Sequence, residues 1–373
     1  FFLPALGLSW RVDVNQFSTH MMYRNRLVRC YLGASTEPDK RQPFSGFSTE
    51  DDIALAEISP TCAGAGAEPD GRPLPLLNAT LNVARGKELA LQTRKARSFV
   101  FSPRYSGYMR PDPKTSEWVS AYAATRTSGS DEKTGEAALT IGTAMAVSGA
   151  AASPNMGFYA SPALAFLMTL FDVRLGWWLG NPAQRNWTSK GPRFGAVCLL
   201  AELFGAASDA SAYIYLSDGG HFENLAVYEL VRRRCKLIVA CDVSCDSKYA
   251  FGDLHNAMER CRSDFGVEIL RETRDLVPEE SRVRGHFDLC RIRYTPGNAA
   301  ADGCLIYLKP GLADDDPEDL LGYAAQNKAF PHDTTANQWF DENHFENYRH
   351  LGYVTGLAAA GKIAEEMKLV LGA

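Results

Sequence analysis

The residues best placed for chemistry are Asp218, Gly219 and Gly220, which directly follow the run Tyr213 to Ser217 (YIYLS). The β-branched and aromatic side chains of that run predict a strand, and two glycines permit backbone angles that other residues resist. In open parallel sheets, functional groups collect just beyond the carboxyl ends of the strands. Asp218 could therefore point its carboxylate into a crevice. An Asx turn or a helix cap would give the same pattern, and spacing alone leaves both interpretations open.

The elements that would position Asp218 follow it directly in the chain. Phe222 to Arg234 (FENLAVYELVRRR) has helical spacing and a basic end that complements the helix dipole. Leu237 to Val243 (LIVACDV) is a continuous apolar run, of the kind found in strands buried on both faces. Strand, turn, helix and strand together have the size of a βαβ crossover, which predicts that the two strands are parallel.

This segment resembles a known family. The run YLSDGGHFENLAVYELVRRRCKLIVACD resembles the strand, DG(G/A) turn, helix and strand of the patatin-like phospholipases, more closely the bacterial branch related to cytosolic phospholipase A2. Other stretches similar to that branch are RNRLVRCYLGAS, FSPRYSGY, GTAMAVSGAAASPNMGF and FPHDTTANQWFDENHFENYR. The resemblance covers most of the chain in patches and is weakest over residues 36–72.

The resemblance implies an α/β fold, a patatin-like three-layer sandwich with a largely parallel central sheet, incomplete in this chain. It also implies lipid acyl-ester hydrolysis without a cofactor, by a serine and aspartate dyad. The serine attacks the ester carbonyl, the aspartate takes the serine proton, and backbone amides of a glycine-rich loop hold the oxyanion. Asp218 matches the dyad acid, while Gly219 and Gly220 shape its turn. His221 belongs to the motif without an assigned role.

The other half of the family's machinery is missing from the sequence. Neither a GGGxR-type loop nor a GxSxG elbow occurs in it. The nearest substitute is Ser148 in AVSGA, which could be a nucleophile or an ordinary serine in a helix contact. We expect the serine and the oxyanion loop on an upstream segment or a partner chain, since the chain opens at Phe1 like a fragment. The alternative is a non-catalytic structural or interaction subunit that retains the fold.

Composition narrows the range of partners and cofactors. The chain has 373 residues, of which 46% are hydrophobic and 22% charged, and this excludes a disordered chain. A net charge of -5 makes nucleic acid an unexpected partner. The nine cysteines include no CxxC pair and the histidines no HExxH spacing, so we predict a reduced compartment and no metal. The acidic run Asp314 to Asp316 lacks the calcium-loop pattern and fits a solvated loop.

The chain is predicted to form one domain over residues 1–373, with polar surface insertions at 36–72 and 111–135. Residues 137–171 carry no charge, but prolines interrupt them, which favours a pair of buried helices over a membrane span.

Two features could bring the protein to a lipid surface. Arg24, Arg26 and Arg29 could attract anionic head groups or simply form a solvated face, and Trp177 with Trp178 could lie at an interface or in the core. We expect a lipid or acyl-ester substrate and a cytoplasmic protein. A membrane surface is a further candidate partner, reached through an upstream N-terminal region.

Overall fold

The computed structural model describes residues 7, 10–58, 73–84, 93–112, 115, 117–128, 139–154, 167–168, 173–189, 191–279, 282–334, 337 and 339–372. The chain divides into two compact units, residues 1–222 and residues 223–373. Each unit contains a β-sheet, in which the described residues form six strands in the first unit and four in the second.

The sheet of the first unit is antiparallel throughout. Its strands are β1 (Leu77–Asn82), β2 (Ala96–Phe101), β3 (Tyr105–Pro111), β4 (Trp118–Ala124), β5 (Trp177–Gly180) and β6 (Tyr213–Asp218), in the order β4-β3-β2-β1-β6-β5. Strand β1 pairs with β2 on one side and with β6 on the other, where Ala79 lies opposite Asp218. The candidate acid therefore ends a strand inside the sheet.

Three α-helices accompany this sheet in the described residues. They are α1 (His20–Leu27), which continues as a π-helical segment over Val28–Leu32, α2 (Ile141–Ser148) and α3 (Gly195–Leu203). Helix α2 packs against β1 and β6, and buries Ala144 and Val147 in the core of the unit. The N-cap of this helix is Thr140, whose side chain accepts a hydrogen bond from the Thr143 amide.

The second unit contains a mixed sheet. Its elements are α4 (Val227–Arg232), β7 (Leu237–Cys241), α5 (Gly252–Phe265), β8 (Glu268–Arg271), β9 (Phe287–Arg293), β10 (Gly303–Leu308), α6 (Glu318–Gln326) and α7 (Glu342–Leu371). The strand order is β7-β10-β9-β8, in which β7 and β10 are parallel and the other pairs antiparallel. Helix α7 buries Ala359 against Ile306 and Leu308 of β10.

The prediction of a largely parallel central sheet is wrong. Strands β6 and β7, expected to pair in parallel, belong to different sheets; β6 is antiparallel to β1 and β5, whereas β7 pairs with β10. The apolar run of β7 did not identify its neighbours, and the expectation that β7 is buried on both faces is also wrong, since Val239 and Cys241 on one face are exposed. The fold is mixed α/β, and the three-layer sandwich stays a prediction.

The two expected insertions differ in structure. In the first, residues 36–58 contain short 3₁₀ turns and bury Leu55, while residues 59–72 lie outside the described part. The second, residues 111–135, contains β4 at the edge of the sheet, and residues 129–135 are again not described. Of the predicted pair of uncharged helices, α2 is described and residues 155–166 are not. Among the described helices, none combines the length and the apolar character needed to cross a membrane.

Candidate functional site

The Asp218 carboxylate lies at the end of β6, where a single 3₁₀ turn from Gly219 to His221 begins. Its Oδ1 accepts a hydrogen bond of 2.7 Å from the Gly220 amide, so the side chain caps the turn. The side chain is partly buried, and this burial raises the pKa of Asp218 above its ordinary value, against the opposing effect of the Gly220 hydrogen bond. A carboxylate with a raised pKa is a better proton acceptor than an exposed one.

Gly219 is required by the close approach of β1. A Cβ atom at this position would lie 2.8 Å from the backbone oxygen of Asn78, which is closer than real Cβ contacts allow. The Thr80 hydroxyl also donates to the Gly219 carbonyl oxygen at 3.2 Å, which ties the turn to the same strand. The glycine therefore lets the turn that carries Asp218 lie directly against β1.

We expect Gly219→Ala to destabilise the first unit by about 1–3 kcal/mol, because the added methyl group must displace the backbone of β1. Urea unfolding of the variant measures the change. Gly322→Ala in α6 is the matched control, since its Cβ would meet nothing within 4 Å and alanine favours a helix. An unchanged unfolding midpoint for Gly219→Ala would contradict the close approach.

Ser148, the alternative nucleophile, is the last residue of α2. Its hydroxyl donates to the Asn78 carbonyl oxygen at 2.7 Å, so it lies beside the same stretch of β1 as the Asp218 turn. The amides that follow are engaged within the helix end: Gly149 donates to Met145 and Ala150 to Val147. A nucleophile elbow instead places its serine between a strand and the start of a helix, with the next amide free for an oxyanion. Ser148 lacks that geometry.

Sequence reasoning missed Tyr23 as a neighbour of the turn. Burial raises the pKa of the Tyr23 hydroxyl, and the negative charge of Asp218 raises it further, so the phenol is neutral and can donate. A Cβ atom on Gly149 would lie 2.5 Å from this hydroxyl, which places Tyr23 against the end of α2. No local pattern could link Tyr23 with Asp218, which are far apart in sequence.

His221, the motif residue without a predicted role, has a neutral side chain. Its Nδ1 lies 2.9 Å from the Ser217 hydroxyl, which also accepts a 2.9 Å hydrogen bond from the Asn82 side chain. Burial lowers the pKa of His221 to about 4, so the imidazole is neutral at physiological pH. This histidine therefore helps to fix the turn as a neutral hydrogen-bonding group.

Two of the three arginines that could attract anionic head groups have structural partners. Arg24 pairs with Asp52, and Arg29 donates to the Ser45 carbonyl oxygen at 2.9 Å, while Arg26 is exposed. Trp178 is buried in the core and Trp177 is partly buried and packed against it, as the second of the two interpretations predicted.

Two further groups of side chains have the chemistry of metal ligands: the His, Cys, Asp and Glu residues in general, and the acidic run Asp314 to Asp316. Within the described residues, no group of three or more His, Cys, Asp or Glu side chains is arranged to hold a metal ion. In the run Asp314 to Asp316, the last carboxylate is buried and lies 3.0 Å from His286 Nε2, so the prediction of a solvated loop is wrong for Asp316.

Comparisons with known proteins give one structural likeness. No family model matches the sequence, and no curated protein matches it. The fold is similar to the human GIVD cytosolic phospholipase A2, with a TM-score of 0.46 and 16% sequence identity, over 82% of this chain and 45% of that chain. This chain thus spans less than half the length of that phospholipase.

Proposed function

We propose that this chain carries the acid half of a lipid acyl-ester hydrolase site, in which Asp218 is the general base for a serine supplied by another segment or chain. The observation that supports this most is the partly buried Asp218 carboxylate at the end of β6, with its raised pKa. A serine placed against it would lose its proton to Asp218 as it attacks the ester carbonyl. Asp218 would then pass that proton to the leaving alcohol, which leaves the acyl group bound to the serine. Water would attack this acyl-serine ester, with Asp218 accepting the proton of the water and returning it to the serine as the carboxylic acid departs.

The hydrogen bonding of Asp218 is compatible with its role as a general base. Among the described residues, its carboxylate accepts one hydrogen bond, from the Gly220 amide to Oδ1. That bond fixes the side chain at the turn. The other oxygen, Oδ2, is then available to accept the proton of a nucleophile. The neutral Tyr23 hydroxyl nearby is a candidate donor to the substrate.

Two observations favour an external serine. The 373 residues contain no GxSxG sequence, and the hydroxyl of Ser148 is directed to the Asn78 carbonyl oxygen from the end of a helix. The same two observations also favour the second candidate function, a structural or interaction subunit that keeps the fold without catalysis. The two functions differ in whether an activated serine stands beside Asp218.

A fluorophosphonate ester probe distinguishes them, because it reacts covalently with activated serines. The native protein, isolated with any polypeptide that accompanies it, is labelled, digested and examined by mass spectrometry. We expect the adduct on a serine outside these 373 residues. An adduct on Ser148 would overturn the external nucleophile, and the absence of both labelling and ester hydrolysis would favour the structural subunit.

A further inference from the structure

A second group of polar residues lies in the second unit, where the parallel strands β7 and β10 end. Asp242 follows β7 and Lys309 follows β10, so both lie at the carboxyl edge where parallel strands collect functional groups. The Lys309 ammonium group is fully buried and lies 3.1 Å from Asp242 Oδ2 and 3.3 Å from the Ser244 hydroxyl. These contacts fix the start of the loop that follows β7.

The rest of this loop is held by Asp246. Its two carboxylate oxygens accept hydrogen bonds of 2.8 Å from the Ala250 amide and 2.9 Å from the Phe251 amide. Tyr249, which directly precedes Ala250, adopts a left-handed conformation with a φ of 49°. A loop with this many internal bonds presents its outward side chains in fixed positions.

The loop faces the segment 328–334 across a cavity. The Cys245 thiol donates to the His332 carbonyl oxygen at 3.0 Å, and the rings of Tyr249 and His332 meet edge to face with centroids 4.8 Å apart. The cavity has a volume of about 590 Å³, enough for a small organic molecule. Its lining includes Cys245, Lys248, Tyr249, Lys328, Phe330 and His332.

The His332 side chain has unused hydrogen-bonding capacity. Both ring nitrogens are buried, and neither has a hydrogen-bond partner in the described part of the chain. Burial, helped by the charge of Lys309, lowers the pKa of His332, so the ring is neutral and offers one donor and one acceptor. Buried polar groups are almost always paired in folded proteins, and a rotation of the ring towards the cavity that His332 lines would let a ligand supply the partner.

The charges of the lining select the kind of ligand. Lys248 and Lys328 are exposed at the cavity, and no acidic side chain is among its described lining residues. The nearby carboxylates of Asp242 and Asp246 are engaged by Lys309 and by backbone amides. A phosphoryl group carries a charge of about −1.5 to −2 near neutral pH and three strong acceptor oxygens, so it suits two lysines and the donor nitrogen of His332 better than a carboxylate with a single charge.

We propose that this cavity binds a small molecule through a phosphoryl group, with Lys248 and Lys328 opposing its charge and His332 hydrogen-bonding to it. Phe330, Pro331 and Leu312 supply an apolar wall for the remainder of the ligand. The proposal is independent of Asp218, which belongs to the first unit.

Protection of Cys245 from alkylation tests the proposal, since this exposed thiol lines the cavity. The full chain is treated with iodoacetamide, and the modification rate of each cysteine is followed by mass spectrometry. Cys30 and Cys241 are exposed but outside the cavity lining, and serve as internal references. The probes are inorganic phosphate, phenyl phosphate, and phosphatidylcholine vesicles containing phosphatidic acid, with benzoate as the carboxylate control.

We expect a phosphoryl probe to slow alkylation of Cys245 selectively. Protection by phosphate or phenyl phosphate identifies a soluble ligand, and protection by vesicles alone identifies a lipid head group; either supports the proposal. Lys248→Ala, Lys328→Ala and His332→Gln should each raise the half-protecting concentration about tenfold. Lys368→Ala, an exposed lysine on α7, should leave it unchanged. No protection by any phosphoryl probe, equal protection by benzoate, or protection that survives all three variants would overturn the proposal.

Discussion

If Asp218 is the general base proposed above, Asp218→Asn is expected to lower ester hydrolysis about a thousandfold, the contribution of a positioned general base. The asparagine side chain keeps the shape of aspartate, and its Oδ1 can still accept the hydrogen bond that the Gly220 amide makes at 2.7 Å. The turn should therefore survive while the proton acceptor is lost. The loss should appear in kcat and in kcat/KM together, since it affects the transition state and not substrate binding.

The measurement is the steady-state hydrolysis of a phospholipid or a chromogenic ester, with Asp315→Asn as the matched control. Asp315 is exposed, and its replacement should leave both the activity and the unfolding midpoint unchanged. Because burial raises the pKa of Asp218, the acid limb of the wild-type pH profile should lie above the pKa of a solvent-exposed aspartate. An Asp218→Asn variant that folds normally and retains full activity would remove Asp218 from the mechanism.

Local signals predicted the Asp218 turn well. The strand expected over residues 213–217 is β6, Tyr213–Asp218, and the glycines after it form the expected turn. Strand β7 also begins at Leu237 as expected. The intervening helix is shorter than its pattern, because α4 begins only at Val227, after Ala226 adopts a left-handed conformation with a φ of 59°. Propensity and turn chemistry act over a few residues, and they were sufficient for these elements.

The neighbours of the turn could not be predicted in the same way. Asn78 and Thr80 contact it from β1, and Tyr23 approaches from α1. These contacts depend on which strands pair and which helix covers them, and such pairing joins segments far apart in the chain. The partner of β7 was predicted wrongly, since it pairs in parallel with β10 and not with β6, and the direction was wrong for β6, which is antiparallel to both of its neighbours.

A second large effect is expected at a buried ion pair of the first unit. Arg174 and Glu202 are both fully buried, with Arg174 Nη1 3.0 Å from Glu202 Oε1. The same carboxylate oxygen accepts a hydrogen bond of 2.6 Å from Trp178 Nε1, and Arg174 Nη2 also donates to the Val14 carbonyl oxygen. The pair thus connects α3, β5 and the N-terminal part of the unit.

Glu202→Leu should destabilise the first unit by about 3–5 kcal/mol, because it removes the carboxylate that lies 3.0 Å from the fully buried Arg174 guanidinium. Urea unfolding followed by tryptophan fluorescence measures the change. Lys40→Met breaks an exposed pair with Glu37 and is the control, in which no measurable change is expected.

The double variant Arg174→Met with Glu202→Leu separates the effect of removing the Glu202 charge from the effect of losing hydrogen bonds. Bringing two charges out of water is unfavourable, and the attraction between them offsets this only in part, so apolar side chains of similar size can replace a buried pair at little loss. We therefore expect the double variant to be more stable than Glu202→Leu alone. If it is instead as unstable as the single variant or less stable, the loss comes from the hydrogen bonds to Trp178 and Val14. The pair would then stabilise the unit mainly by connecting its elements, and the loss of the Glu202 charge beside Arg174 would be the smaller effect.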